Sequence, residues 1–218
     1  MSVLDAFEIS LMPQRPLRTP DFRREQSLQK KGLWPVAGID EVGRGCLAGP
    51  VAAAAVILNP CDVPDGLNDS KCLSAAMRET LYEEILTRAH AVAFAFVSAA
   101  DIDRINIRQA SLTAMRRALA ALAIVPRYVL IDGNDLPQDL TCPGETIVKG
   151  DATSASIAAA SIVAKVARDR LMKRLCRSHP AYGFSRHVGY ATQEHRAALA
   201  KHGPSPFHRL SFAPLREV

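Results

Sequence analysis

The fold turns on the stretch Val36-Ala37-Gly38-Ile39-Asp40-Glu41-Val42-Gly43-Arg44-Gly45-Cys46-Leu47-Ala48-Gly49-Pro50, followed at once by the apolar run 51–58. It predicts a strand over 36–40 that ends in two acids, a Gly-rich turn, and a second strand over 51–58. Outward from there, 59–66 is a loop. The spacing predicts a helix over 74–88 with Ser74 as N-cap and Met77, Leu81 and Ile85 on one face. A strand follows at Ala91–Val97. A helix or helix pair over 100–123 starts at Asp101. Tyr128–Asp132 reads as a short buried strand ended by Gly133-Asn134, and 146–149 as another. A long helix covers 154–176 and a further one Gln193–His202. Strands come first and then alternate with helices, which predicts an α/β layered domain followed by a helical, basic C-terminal part.

The chain has 218 residues, 48% hydrophobic and 22% charged. At about 150 residues per domain this is one large domain or a domain with an appendage. The composition excludes a disordered chain, a coiled coil and a collagen-like repeat. The apolar runs 51–58 and 155–164 are too short to span a bilayer, which takes about 20 residues. Asp5 and Glu8 and the lack of an apolar core near the start argue against a secretory signal, so a cytoplasmic location is expected. Residues 1–34, with Pro13, Pro16 and Pro20 and no period, read as a loose arm. Residues 35–175 are then the core, and 176–218 the helical basic region. The cysteines (46, 61, 72, 142, 176) form no C-x-x-C pair and are odd in number, so free thiols are expected.

The net charge is +5. Residues 165–218 hold 11 Lys/Arg against three acids, and residues 1–164 are slightly acidic. A basic end on an acidic body points to a polyanion partner such as nucleic acid; a solvated basic helix reads equally well from charge alone. His187, His195, His202 and His208 lie close in sequence, but their spacing suits no helical pair of zinc ligands.

The acids carry the chemistry. Asp40 and Glu41 close one strand, Asp132 closes another, and Asp151 precedes the long helix. Sites in open α/β sheets form outside such strand ends. A single strand-end acid merely caps a turn or faces solvent. Four at matching places repel one another, which makes sense if hard divalent cations bind among them. Two such ions about 4 Å apart suit phosphodiester displacement. Neighbouring strand residues point to opposite faces, so Asp40 and Glu41 converge only if the strand bends or ends there.

These residues resemble ribonuclease HII over roughly 36–214. The resemblance rests on an ordered series. It begins with Gly38-Ile39-Asp40-Glu41-Val42-Gly43-Arg44-Gly45 and Gly49-Pro50-Val51. Asp69-Ser70-Lys71, Leu73-Ser74, Asn106 and Ile131-Asp132-Gly133 follow. Then come Lys149-Gly150-Asp151, Ile157 to Ile162, Ala164-Lys165 and Arg168-Asp169. Gly189-Tyr190, Thr192, His195 and the run from Gly203 to Arg209 close it.

The resemblance implies a ribonuclease H-like mixed central sheet flanked by helices, with a small helical C-terminal region. It implies an endonuclease that cleaves RNA in RNA/DNA hybrids and single ribonucleotides embedded in duplex DNA, as in ribonucleotide excision repair. Mn²⁺ or Mg²⁺ would be used, and a 3′-hydroxyl and a 5′-phosphate left. Asp40, Glu41 and Asp132 would ligate metal and Asp151 would complete the acidic site. Gly43, Arg44, Gly45 and Tyr190 would read the junction where a ribose meets a deoxyribose. A monomer that binds no membrane is expected.

The residue types agree with those roles. Glycines let a backbone approach a nucleotide, amides can bond a 2′-hydroxyl, and Arg44 suits a phosphate. On their own, the glycines also fit a plain tight turn and Tyr190 a half-buried core aromatic. Ser70 and Lys71 fit either a phosphate contact or a solvated loop. Ala158 to Ala160 are small enough for the helix to pack tightly under the acids. Lys165, Arg168, Lys173 and Arg174 on the long helix are candidates for DNA-backbone contacts. Val188 and Cys72 stand where the family often has Lys, each removing a positive charge. A non-catalytic nucleic-acid binding module is the alternative, but it gains nothing from carboxylates facing phosphates. The sister family, ribonuclease HIII, carries an added N-terminal domain, for which 34 residues are too few.

Overall fold

The computed structural model describes residues 19–217. Strands β1 (Val36–Val42), β2 (Val51–Ile57) and β3 (Ala91–Val97) pair as an antiparallel meander. On the other side of β1, β4 (Tyr128–Asp132) and β5 (Gly144–Ile147) run parallel to it. The sheet order is β3-β2-β1-β4-β5. β1 is therefore central, with an antiparallel neighbour on one side and a parallel one on the other.

Both sheet faces are covered, which explains why β2 is apolar at every position. Ala37, Ile39, Ala53 and Ala55 pack with α3 (Ala99–Ala120) in one core. Ala54 and Val56 pack with α2 (Ala75–Arg88) and α4 (Ala155–Ser178) in the other. Ala158, Ala159 and Ala160 are fully buried against the sheet. The helix comes so close that a Cβ on Gly38 would overlap the Ser156 carbonyl and the Ile157 amide. Beyond the sheet, the end of α4 packs with Ala48, Tyr182, Phe184 and Ala198. The latter two lie in α5 (Phe184–His187) and α6 (Gln193–His202). The expected boundary at 175/176 falls inside α4.

Local signals set most boundaries. Ser74 caps α2 by accepting from the Met77 amide at 3.2 Å. The first turn of α2 is rotated from expectation: Met77 is 52% exposed, while Leu81, Tyr82 and Ile85 are buried. The neighbouring Arg78 donates to the carbonyls of Ser70 and Leu73, holding that loop against the helix. The helix over 99–120 is a pair broken at Asn106, whose φ is 64° and whose Oδ1 caps the second half through the Gln109 amide at 3.1 Å. It starts at Ala99, after the N-cap Ser98, rather than at Asp101. β5 lies two residues earlier than expected, because Lys149 adopts a left-handed φ of 56°.

The loose-arm reading fails for residues 19–34. Arg23–Lys30 form α1, and its Leu28 packs with Val36, Leu130 and Ile157. Its Glu25 is fully buried and accepts from Ser154 Oγ at 2.6 Å and the Ser156 amide at 3.0 Å. An acid at a helix N-terminus satisfies orphan donors and meets the positive end of the dipole. That is a tertiary role that no period announces. Residues 1–18 of the expected arm lie outside the described residues. Among the described residues no helix is long and apolar enough to cross a membrane. The five cysteines are free.

Candidate metal centre and nucleic-acid interface

The sheet register builds the acidic site. Ile39 pairs with Ile131 across the parallel β1–β4 ladder. The next residue on each strand is an aspartate, so Asp40 and Asp132 stand side by side on one face. Asp132 Oδ1 accepts from the Gly150 amide at 2.6 Å. That bond fixes the short 3₁₀ turn Gly150–Ala152, which delivers Asp151 to the same edge. Asp40, Asp132 and Asp151 each offer one oxygen, all within 4.8 Å of one another.

Burial pushes the Asp40 carboxyl well above the usual range, and the charges of Glu41 and Asp132 push it further; the Ser161 hydroxyl offsets part of this. Asp151 is raised by burial and by Asp132 and Asp69, and is lowered by Lys71. Lys71 Nζ lies 3.5 Å from Asp151 and 3.6 Å from Asp69.

Glu41 does not join the trio. β1 runs on through Val42 without ending at the acids, so Glu41 points to the α3 face. There it lines a small cleft with Arg44, Arg108, Ser111 and Asp132. It pairs with Arg44 at 3.2 Å. Burial raises its carboxyl, against the lowering effect of Arg44. Its Oε2 is buried with no partner among the described residues. The expected four-carboxylate convergence is thus three aspartates on one face, with Glu41 beside Asp132 from the other. The donor set fits a hard divalent cation: every donor is a carboxylate oxygen, the charges are mutually repelling, and one buried oxygen lacks a partner.

The expected recognition residues surround this edge. Gly43 is buried at φ 91°, where a Cβ would overlap the Arg168 guanidinium; Arg44 and Gly45 are exposed. The Leu47 amide donates to Gly189 O at 2.8 Å, which sets Tyr190 beside the Gly-rich loop. Tyr190 is 44% exposed, so it is not a core aromatic. Lys71 is exposed. Ser70 is buried, its hydroxyl 3.0 Å from Ser161 Oγ, so it is turned inward behind Asp40 and offers no surface hydroxyl. Cys72 is exposed.

Arg168 is not a DNA-backbone contact: it is fully buried and bonds the carbonyls of Pro50, Val188 and Ala48. Lys173 and Arg174 are exposed, and Lys165 pairs with Asp169 at 2.8 Å. Ser161 and Arg209 lie within the family series, but sequence reasoning gave neither of them a role. A charged residue among the basic run of 165–218 gives no local sign of facing inward.

Three of the four clustered histidines form a buried cluster, with His187 stacked on His195 at 4.3 Å. Gly189 N donates to His187 Nδ1, and His187 Nε2 donates to Tyr182 O. The Nε2 atoms of His195 and His208 are 3.0 Å apart. His195 Nδ1 donates to Tyr190 O, and His208 Nδ1 accepts from the Ser205 amide. One neutral tautomer each satisfies all of these bonds.

A sequence profile of the family described as Ribonuclease HII matches residues 37–215. The ribonuclease HII of Sinorhizobium medicae (strain WSM419) is 57% identical over 208 residues, 95% of either chain. That of Brucella ovis is 58% identical over 198 residues, 90% of either chain. Among solved structures, the PCNA:RNase HII complex from Archaeoglobus fulgidus is similar, with a TM-score of 0.69 and 28% identity over 81% of this chain and 94% of that one. The ribonuclease H2 of Pyrococcus horikoshii shares the fold, with a TM-score of 0.72 at 24% identity over 84% and 95%.

Proposed function

Since the chain belongs to the ribonuclease HII family and is a ribonuclease H endonuclease, we propose that Asp40, Glu41 and Asp132 hold Mn²⁺ or Mg²⁺ and that Asp151 completes the catalytic site. The observation that carries this reading is the meeting of Asp40, Asp132 and Asp151 oxygens within 4.8 Å, from three separate segments. Divalent ions held there supply positive charge to offset that gathering on the scissile phosphate.

The remaining work falls to the chain's own groups. The Gly150 amide on Asp132 and the Ser161 hydroxyl beside Asp40 orient the carboxylates. Glu41 pairs with Arg44, tying the acidic edge to the Gly43-Arg44-Gly45 loop. Exposed amides of that loop address the 2′-hydroxyl, the group that separates RNA from DNA. Arg44 addresses a phosphate, and Tyr190 stacks on the following deoxyribose, where a ribose would be crowded. Lys71 lies beside Asp151, placed to meet a phosphate of the bound strand. Water displaces the 3′-oxygen on the 5′ side of a ribonucleotide, leaving a 3′-hydroxyl and a 5′-phosphate. The substrates are RNA/DNA hybrid and ribonucleotide-containing duplex DNA, and the chain acts as a monomer in the cytoplasm.

The test is incubation with a DNA duplex bearing one ribonucleotide, and with a full hybrid, in Mn²⁺, Mg²⁺ or EDTA. The expected result is a single cut 5′ to the ribonucleotide, present with either ion and absent in EDTA. Cleavage in EDTA, or no cleavage with either ion, overturns the reading.

A further inference from the structure

Two fully buried arginines lie behind the recognition loop. Arg209 donates from Nε to Gly49 O at 3.0 Å, from Nη1 to Arg44 O at 2.8 Å and from Nη2 to Gly43 O at 2.6 Å. Arg168 donates to Pro50 O at 2.8 Å, Val188 O at 2.8 Å and Ala48 O at 3.1 Å. Neither pairs with a carboxylate among the described residues. A buried cation is costly unless it is compensated. Here the compensation comes from six backbone carbonyls, five in the turn from Gly43 to Pro50 and one at Val188, just before Gly189-Tyr190.

That arrangement dictates where the loop's amides point. In a trans peptide the C=O and the following N–H point in opposite directions. With the carbonyls of Gly43 and Arg44 held inward, the amides of Arg44 and Gly45 face outward. Neither amide donates to an acceptor among the described residues, and both residues are exposed. Val188, whose carbonyl Arg168 holds, adopts φ 44°, a conformation costly for a β-branched residue. The turn pinned at five carbonyls, and the strained Val188 segment pinned at the sixth, are over-determined, which suits a recognition surface.

We infer that Arg209 and Arg168 are positioning residues for ribonucleotide recognition, holding the turn so that the Arg44 and Gly45 amides meet the 2′-hydroxyl. The inference rests on the role proposed above for the Gly43-Arg44-Gly45 loop. The planar fork of a guanidinium spans three carbonyls; a lysine ammonium at the same place is a point donor and cannot. Burial lowers the Arg209 guanidinium to about 10, so it stays cationic at neutral pH.

The experiment uses the full chain with Arg209→Lys and Arg168→Lys. Cleavage of a duplex with one ribonucleotide is measured, together with affinity for an all-DNA duplex of the same sequence. Misplacing the amides by about 1 Å predicts a loss of kcat/KM of up to about a hundredfold, carried mainly by KM. All-DNA affinity should be unchanged, since DNA has no 2′-hydroxyl to read. Wild-type discrimination in folded variants overturns the inference, as does an equal loss on both duplexes.

If the lysine variants fail to fold, hydrogen exchange on the wild-type protein decides. The Arg44 and Gly45 amides should exchange freely in the free protein and be protected by the ribonucleotide duplex but not by all-DNA. Equal exchange with both duplexes overturns the inference. Failure of the wild-type protein to cut the ribonucleotide duplex overturns instead the proposed function beneath it.

Discussion

Ile39 and Ile131 stand opposite each other on neighbouring parallel strands, and this pairing sets Asp40 beside Asp132. A buried and a half-buried acid held together by sheet register repel each other whenever no cation lies between them. Asp40→Asn or Asp132→Asn should therefore abolish cleavage in Mn²⁺ while hybrid binding survives. In metal-free buffer, Asp40→Asn should raise Tm. Relief of about 1 kcal/mol corresponds to about 2–4 °C for a chain of this size. Unchanged turnover in either variant would contradict the assigned roles.

The acids and the histidines drive stability in opposite directions with pH. Asp40, Glu41 and Asp151 titrate above their unfolded values, so the folded state holds protons that the unfolded state has released. Without metal, stability should fall as pH rises from about 4 through those raised values. Added Mn²⁺ should stabilise more strongly at higher pH.

The histidine cluster works the other way. Burial lowers His187, His195 and His208, the last to about 4. Besides one another, the charged groups that face the cluster are Arg186, whose charge also lowers His187, and the buried Arg168, which bonds the Val188 carbonyl next to His187; Arg209 follows His208 in the chain. The unfolded chain takes up protons first as pH drops below about 6.5. Stability should thus decline from about pH 6.5 to pH 4, by up to about 3 kcal/mol from His208. Urea melts across that range should show a shallower decline in His208→Asn than in wild type.

Gly38 is the point where the α4 backbone touches the sheet. Gly38→Ala has no flexible neighbour to displace. Overpacking of this kind costs about 1–3 kcal/mol. Because α4 carries Ser161 and follows Asp151, activity should fall further than the lost stability accounts for. Chemical denaturation and kcat on the same preparation will separate the two.

Glu25 joins α1 to the start of α4. Glu25→Ala leaves the Ser156 amide and the Ser154 hydroxyl buried without that acceptor, at a cost of about 1–3 kcal/mol. Glu25→Gln keeps an acceptor oxygen and should recover part of the loss. Equal melting temperatures for wild type and Glu25→Ala would show that α1 does not brace the helix.

Much of this was legible from the chain. The strand at Ala91–Val97, the strand at Tyr128–Asp132 and the helix at Gln193–His202 coincide with their predicted bounds, because apolar periodicity and caps such as Ser74 and Thr192 are local. The acidic residues stood out because acids closing apolar runs are unusual. The inward turn of Arg168, Arg209 and Ser70 left no such mark. Their partners are backbone carbonyls or a serine far along the chain, and a backbone carbonyl has no sequence signature.

The order of side chains alone determined that acids stand near the ends of two apolar strands and that a glycine-rich turn follows the first of them. Local sterics and hydrophobic period act over a few residues and can be read there. Only the tertiary structure decided that Asp40, Asp132 and Asp151 share a face while Glu41 takes the other, and that α1 is docked. Strand register, helix approach at Gly38 and the carbonyls captured by buried guanidiniums are set by packing between distant segments. Their energies depend on which atoms finally meet, not on which residues are neighbours in sequence.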